Sequence, residues 1–333
     1  MLTIVMYEDV HPDVDPPSPA LPGLSVRQFE GQLDYIHRHH VVCSPERILA
    51  AMLKEGEPLP ENACLLTFDD GLQAHRTTVL PRLLRRGLAG CFFPIVDAVE
   101  NRRVMIVHKV QHMLATRVDR EKLFCDLLKR IAAWRDAYEL PPTEDLLQAS
   151  ACGVVRCGDL PTAQFKCLLE HVLPRQSAWV IAGELFRKYV TADETGFAET
   201  LYLTAGQLRE MAEAGMTLGG HGVFHERMES LSRHGQREVM LRSREFLARI
   251  LGEIPTRWMM NYPYGSCDIR SEELAQAVPG CCMAVTDQAG LVENFSRPYR
   301  LSRLKYTELP MSGDAPLCVW TRMVQAPTQS VAA

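Results

Sequence analysis

No apolar stretch of this chain approaches the roughly 20 residues needed to span a bilayer. No basic segment precedes the short apolar run Leu2 to Tyr7, so neither a membrane span nor a signal peptide is expected. Positive charge is not in excess: 36 Lys and Arg stand against 41 Asp and Glu, a net charge of -5. That balance argues against nucleic acid as a partner, because neutralising phosphates requires a basic face. Among the 11 cysteines there is no CxxC pair, which removes a cysteine-based zinc site. Their number is odd, and several sit inside apolar runs, as in Ala89-Gly90-Cys91-Phe92-Phe93, where a thiol packs as a small hydrophobe. Free thiols in this number fit a reducing compartment, so a cytoplasmic protein is expected. Fixed-period repeats and low-complexity segments are also missing, and no histidine follows His234.

What is present is an ordinary globular composition, 47% hydrophobic and 23% charged over 333 residues, enough for a large core. Leu2 to Tyr7 reads as a buried strand, and a Pro-rich loop follows from Pro12 to Pro22. Ser25 then caps a helix to about His39, and Ser44-Pro45 opens another. Cys64 to Phe68 and Leu88 to Ile95 are strands, with a helix between them from about Thr77 to Arg86. The basic cluster Arg82-Leu83-Leu84-Arg85-Arg86 reads as a solvated helix face. From about residue 99 to 200 the pattern becomes helical, with amphipathic runs at Val110 to Leu114, Lys122 to Trp134 and Phe165 to Val172. Pro141-Pro142 and the segment Gly153 to Pro161 punctuate it. Alternation of strand and helix then returns: a helix from Thr204, a strand to Gly219, a long helix Arg233 to Leu251, and a strand from Cys281. Seven or so βα units predict an α/β protein with a parallel sheet, plausibly a barrel, made of 1–98 and 201–320. Residues 99–200 form a helical insertion, and Pro327 to Ala333 read as a frayed end.

The chemistry concentrates at two strand ends. Thr67-Phe68-Asp69-Asp70-Gly71 ends an apolar strand on two adjacent carboxylates, which in a buried place need a cation. His221-Gly222-Val223-Phe224-His225 follows a second strand-like run and sets two imidazoles four residues apart. Strand ends of α/β proteins gather ligands and catalytic groups. Two imidazoles and one carboxylate suit a late first-row ion and leave positions for water and substrate. The bland alternative is a pair of ordinary loop or core histidines.

These segments, with Tyr262-Pro263-Tyr264-Gly265, resemble the polysaccharide deacetylases of the NodB-homology type, carbohydrate esterase family 4. The resemblance spans residues 1–98 and about 200–310. It implies a distorted (β/α) barrel with a large all-helical insertion. It further implies a divalent metal held by Asp70, His221 and His225, with zinc first and Co, Ni, Fe or Mn as alternatives. Asp69 would be the general base on the attacking water, and Tyr264 would offer its backbone N–H to the developing oxyanion.

Three departures stand out. An arginine often lies two residues before the Pro-Tyr turn in such proteins and orients the base; here Asn261 stands there, able to hydrogen-bond a carboxylate without charge. A late Leu-x-His, whose histidine protonates the leaving amine, has no counterpart. The first strand often ends Tyr-His, whereas Tyr7 precedes Glu8-Asp9. His108 and His112 in the insertion are candidates for the missing acid or for substrate contact, and Glu8, Asp9, Asn261 and Pro263 are further substrate-side candidates. Asp97 and Glu100 read as surface charges. The leading reading is a metal-dependent N-deacetylase of an N-acetylated amino sugar, on a small-molecule or glycan-intermediate substrate. Hydrolysis of a formamide or cyclic amide is the alternative, a non-catalytic binding protein the third. Dimerisation through the insertion helices stays open, since amphipathic helices are needed for internal packing anyway.

Overall fold

The computed structural model describes residues 1–13, 21–151 and 159–325. Contacts divide them into two compact units: one takes the described parts of 1–16, 23–101 and 201–333, the other Arg102–Thr200 with the described part of 17–22.

The first unit is built on ten short strands. These are β1 (Leu2–Tyr7), β2 (Asp9–His11), β3 (Gly23–Ser25), β4 (Val41–Val42), β5 (Ala63–Asp70), β6 (Cys91–Pro94), β7 (Thr217–Leu218), β8 (Trp258–Asn261), β9 (Cys281–Val285) and β10 (Leu304–Lys305). Every residue of β1 and β5 is buried, as expected of parallel strands covered on both faces. The ladder runs β10-β1-β5-β6-β7, and β8 pairs β9, all in parallel. Two parallel bridges, Gly220 to Met260 and Val285 to Leu301, carry it from β7 to β8 and from β9 towards β10. The circuit closes as a distorted barrel. β2 and β3 form a small parallel pair that the proline-rich sequence around them did not announce.

Alternation decides what lies inside. Leu2 and Ile4, Ala63 and Leu65, Cys91 and Phe93, Met259, and Met283 and Val285 share one buried cluster, the barrel's interior. Val5, Tyr7, Leu66, Phe68, Phe92 and Met260 belong instead to the cluster under the helices. Continuing the inward series beyond Leu65 leads to Thr67 and Asp69, so the alternation itself aims Asp69 into the carboxyl end of the barrel.

The helices start and stop where the sequence signals them. Ser25 caps Val26–His39 in a two-way capping box with Gln28, Ser44 caps Pro45–Met52, and Gly252 at φ 78° ends Arg233–Leu251. Two expectations are corrected. Arg82 and Arg86 are not merely solvated, since they clasp Glu30 at 3.0 and 2.5 Å and Arg86 also pairs Asp34 at 2.6 Å. Asp97 is buried, its N–H donating to Val223 and its carboxylate accepting from Asn101; following β6 directly, it points inward rather than to the surface. Glu100 is exposed as expected and pairs Arg249.

The second unit is helical, through Ile106–Ala115, Arg120–Trp134, Thr143–Ala151, Leu160–Cys167, Arg175–Tyr189 and Glu194–Leu201. Inside it Lys109 is buried against the Trp179 ring and paired with Glu194 at 2.8 Å, which also accepts from the Val104 N–H. Most of the punctuation from Gly153 to Pro161, and the Pro327 to Ala333 end, lie outside the described residues. No helix among the described residues is long and apolar enough to cross a membrane, and Cys43, Cys64, Cys91, Cys267 and Cys281 are buried free thiols.

Candidate metal centre

β5 delivers the carboxylates. At Asp70 and Gly71 the backbone turns to φ 74° and 71°, which breaks the alternation and brings Asp70 to the same barrel end as Asp69. Positive φ at a non-glycine residue is costly and gathers at functional sites; Asp70, His225 (φ 55°) and Tyr264 (φ 57°) all show it here. Gly71 is needed for space as well, since a Cβ there would lie 2.8 Å from Pro94 Cβ and 2.9 Å from its Cα. The histidine loop leaves β7 through Gly219, where a Cβ would meet the Phe93 ring at 2.3 Å.

The three expected ligands converge. Asp70 Oδ1 lies 3.2 Å from His221 Nε2 and 3.5 Å from His225 Nε2, and the ligand atoms of the trio all fall within 4.8 Å of one another. Metal–ligand bonds of about 2.0–2.1 Å set tetrahedrally hold ligand atoms roughly 3.3 Å apart, close to the two distances from Asp70 to the imidazoles. His221 Nδ1 donates to the Asn261 carbonyl at 3.0 Å, which leaves Nε2 its lone pair for an ion. Burial lowers the pKa of His221, but Asp70 and the charge of Asp69 outweigh it and raise the net value. A divalent ion would replace that proton.

Asp69 is held differently. Arg303, 1% exposed, forks onto it with Nη1 to Oδ1 at 2.8 Å and Nη2 to Oδ2 at 2.9 Å. The same guanidinium donates to Asp287 at 2.8 Å, Asn261 Oδ1 at 3.0 Å, Thr67 Oγ1 at 3.2 Å and the Thr286 carbonyl at 2.9 Å. Burial alone would lower its pKa; the two carboxylates reverse that and hold it charged. Asn261 is fully buried at the end of β8, where its Oδ1 accepts from Arg303, the same guanidinium that holds Asp69. The charge missing at position 261 comes from position 303. In the sequence Arg303 stands among Arg297, Arg300 and Lys305 with nothing local to mark it out. One signal was there, in that Leu301-Ser302-Arg303 keeps the frame of Leu-x-His with arginine last.

The remaining candidates divide. Glu8, partly buried just beyond β1, is pushed up to about 7, first by burial and then by the charges of Asp70, Asp69 and Asp287, with Lys305 opposing. Its carbonyl accepts from His75 Nε2 at 2.8 Å, which pins the end of the strand. Asp9 belongs to β2. Pro263 is buried, while Tyr264 is partly open with its ring 4.5 Å from that of His225. His108 and His112 belong to the helical unit; His108 is buried there, and His112 packs edge-on against Phe197, burial pulling it down to about 4.

Residues 178–279, which hold both histidines and the Pro-Tyr-Gly turn, match the polysaccharide deacetylase family model. Three solved structures share the architecture. A deacetylase of Streptococcus pyogenes, solved with acetate, is 16% identical, with 91% of each chain covered and a TM-score of 0.54. The fold is that of the polysaccharide deacetylases. A de-N-acetylase of Aggregatibacter actinomycetemcomitans is 14% identical over 95% of this chain and 97% of that one, at 0.53. IcaB of Ammonifex degensii is 16% identical over 91% of each chain, at 0.52. No curated protein matches. The matched stretch begins after the Asp69-Asp70 pair, so it is the deacetylase barrel that brings the carboxylates to the histidines.

Proposed function

We propose that the protein is a metal-dependent hydrolase of a non-peptide amide, an N-deacetylase of an N-acetylated amino sugar or sugar-containing intermediate. The observation that carries this reading is the convergence of Asp70, His221 and His225 beside a second carboxylate, Asp69, clamped in place. One carboxylate and two imidazoles suit zinc, with cobalt, nickel, iron and manganese able to substitute. A divalent ion held there supplies Lewis-acid polarisation of a carbonyl and lowers the pKa of water.

The chain's own groups do the rest. Asp69 takes a proton from the attacking water as its oxygen adds to the acyl carbon. The backbone N–H of Tyr264 donates to the oxyanion that forms. The C–N bond then breaks and the proton passes to the departing amine, giving a carboxylate and a free amine; Glu8, half-sheltered at the mouth, is the candidate for that delivery. Glu8 and Asp9 are substrate-side candidates. The buried free thiols Cys43, Cys64, Cys91, Cys267 and Cys281 support a cytoplasmic setting, and hence a small or lipid- or nucleotide-linked glycan as substrate.

The test is acetate release from N-acetylated glucosamine and its short oligomers by protein stripped of metal and reloaded with Zn2+ or Co2+. Acetate is expected from the reloaded protein and none from the stripped one. No release from any N-acetylated sugar counts against the reading, and formate release from an N-formyl analogue would support a deformylase instead.

A further inference from the structure

We propose that the helical unit carries a binding site of its own, an anion site built on Lys109 and Arg187 that takes a phosphate group. Every residue of the site lies inside that unit, and the proposal stands apart from the ion site in the barrel. Lys109, on the helix Ile106–Ala115, is the floor and is 2% exposed. Its ammonium carries three N–H donors. Glu194 takes one at 2.8 Å. The other neighbours are rings, with the Trp179 centroid 4.8 Å from Nζ and that of Phe186 5.9 Å away. Rings attract the charge, but they give the remaining N–H groups no oxygen.

Cations, more than carboxylates, surround this lysine. Arg187 Nη1 and Lys109 Nζ each lie 3.7 Å from the point where a Cβ on Gly183 would sit, so the two heads are separated by at most twice that distance. One phosphate can bridge such a gap with charge-assisted bonds of about 2.7–2.9 Å on either side. Arg187 is exposed, and no carboxylate among the described residues pairs with it. Arg103, also exposed, lies 4.3 Å from the centre of the Trp179 ring and stands at the rim. Burial pulls the Lys109 pKa down; Glu194 opposes this, and Arg103 and Arg187 lower it further. A phosphate supplies what the group is short of, several anionic oxygens on one centre.

Gly183 keeps the room. It lies inside the helix Arg175–Tyr189, where glycine is a poor helix former. A Cβ there would meet only the two cation heads, at ordinary contact distance, so packing does not call for glycine. Trp179 and Arg187 stand four residues to either side on the same helix face, and the bare turn between them leaves backbone against which a ligand can lie.

Calorimetric titration of the full chain with inorganic phosphate, N-acetylglucosamine-1-phosphate and uridine diphosphate, at constant ionic strength, tests the site. The chain is first stripped of metal, so that no phosphate is held by an ion in the barrel. Uptake of one inorganic phosphate per chain is expected, and an organic phosphate that binds more tightly names the carrier. Arg187→Gln, at an exposed position, should weaken binding by about tenfold, the scale of one lost bond to a charged group. Glu194→Gln still offers an oxygen to Lys109 and to the Val104 N–H but no competing charge, and it should tighten binding by about tenfold. Lys109→Met/Glu194→Leu replaces the buried pair with apolar side chains and should abolish binding, with circular dichroism to verify folding. No uptake of any of the three probes by wild type overturns the proposal. So does undiminished uptake in Arg187→Gln or in the folded double variant, or binding in folded Glu194→Gln that is no tighter than wild type.

Discussion

Gly71 links the barrel's stability to the site, and the cost of replacing it can be worked out. At φ 71° an alanine pays the left-handed backbone penalty, about 1–2 kcal/mol. Its Cβ would also lie 2.8 and 2.9 Å from Pro94, whose own strand is paired to β5 and cannot retreat; forced overpacking of this kind adds about 1–3 kcal/mol. Gly87 is the control, since it has φ 64° with nothing within 4 Å of the added carbon. Gly87→Ala carries the backbone penalty alone, and the effect on the unfolded chain is the same in both variants. Urea unfolding should therefore show Gly71→Ala less stable than Gly87→Ala by about 1–3 kcal/mol, with an unchanged slope. Zinc affinity should fall in Gly71→Ala only, because the turn that aims Asp70 is displaced. Equal losses in the two variants would refute the reasoning.

Other outcomes follow from the same contacts. Asp69→Asn should lower kcat by about 10²–10⁴ while bound metal, measured by elemental analysis, stays at the wild-type level. Glu8 is raised from 4.5 to about 7 in the ion-free protein, so the fold holds its proton more tightly than the unfolded chain does. That contribution to stability is full below about 4.5 and lost as pH rises through 7. Glu8→Gln should flatten the pH dependence of unfolding of metal-stripped protein across that window; an unchanged profile would count against it. In the helical unit, Lys109→Met leaves Glu194 without its partner and should destabilise by about 3 kcal/mol in chemical denaturation. Removing both charges in Lys109→Met/Glu194→Leu should recover most of the loss.

The parts that were legible in the sequence are those fixed by local rules. Ser25, Ser44 and Gly252 mark helix ends with groups that bond their own backbone. The apolar runs Leu2 to Tyr7 and Cys64 to Phe68 read as buried strands, and β1 and β5 are buried throughout. Asp70, His221 and His225 could be read because each sits at a strand end in a short run that carries its own signature. Arg303 could not, because its meaning comes from partners 16, 42 and 234 residues away. Nor could Asn261 show it: the guanidinium that holds Asp69 comes from the residue just before β10, and spacing along one segment cannot reveal that. Asp97 looked like a surface charge, and only its place after β6 turns it inward. β10, at two residues, is too short for periodicity to reveal; it exists because β1 beside it in the closed ladder holds it.

Zinc uptake by the chelator-stripped protein, followed by calorimetry for wild type, Asp70→Ala and His221→Ala, tests the central claim most directly. The account predicts one ion per chain for wild type and a loss of at least tenfold in affinity for each variant. Undiminished uptake in both variants, or none by the wild-type chain, would contradict it.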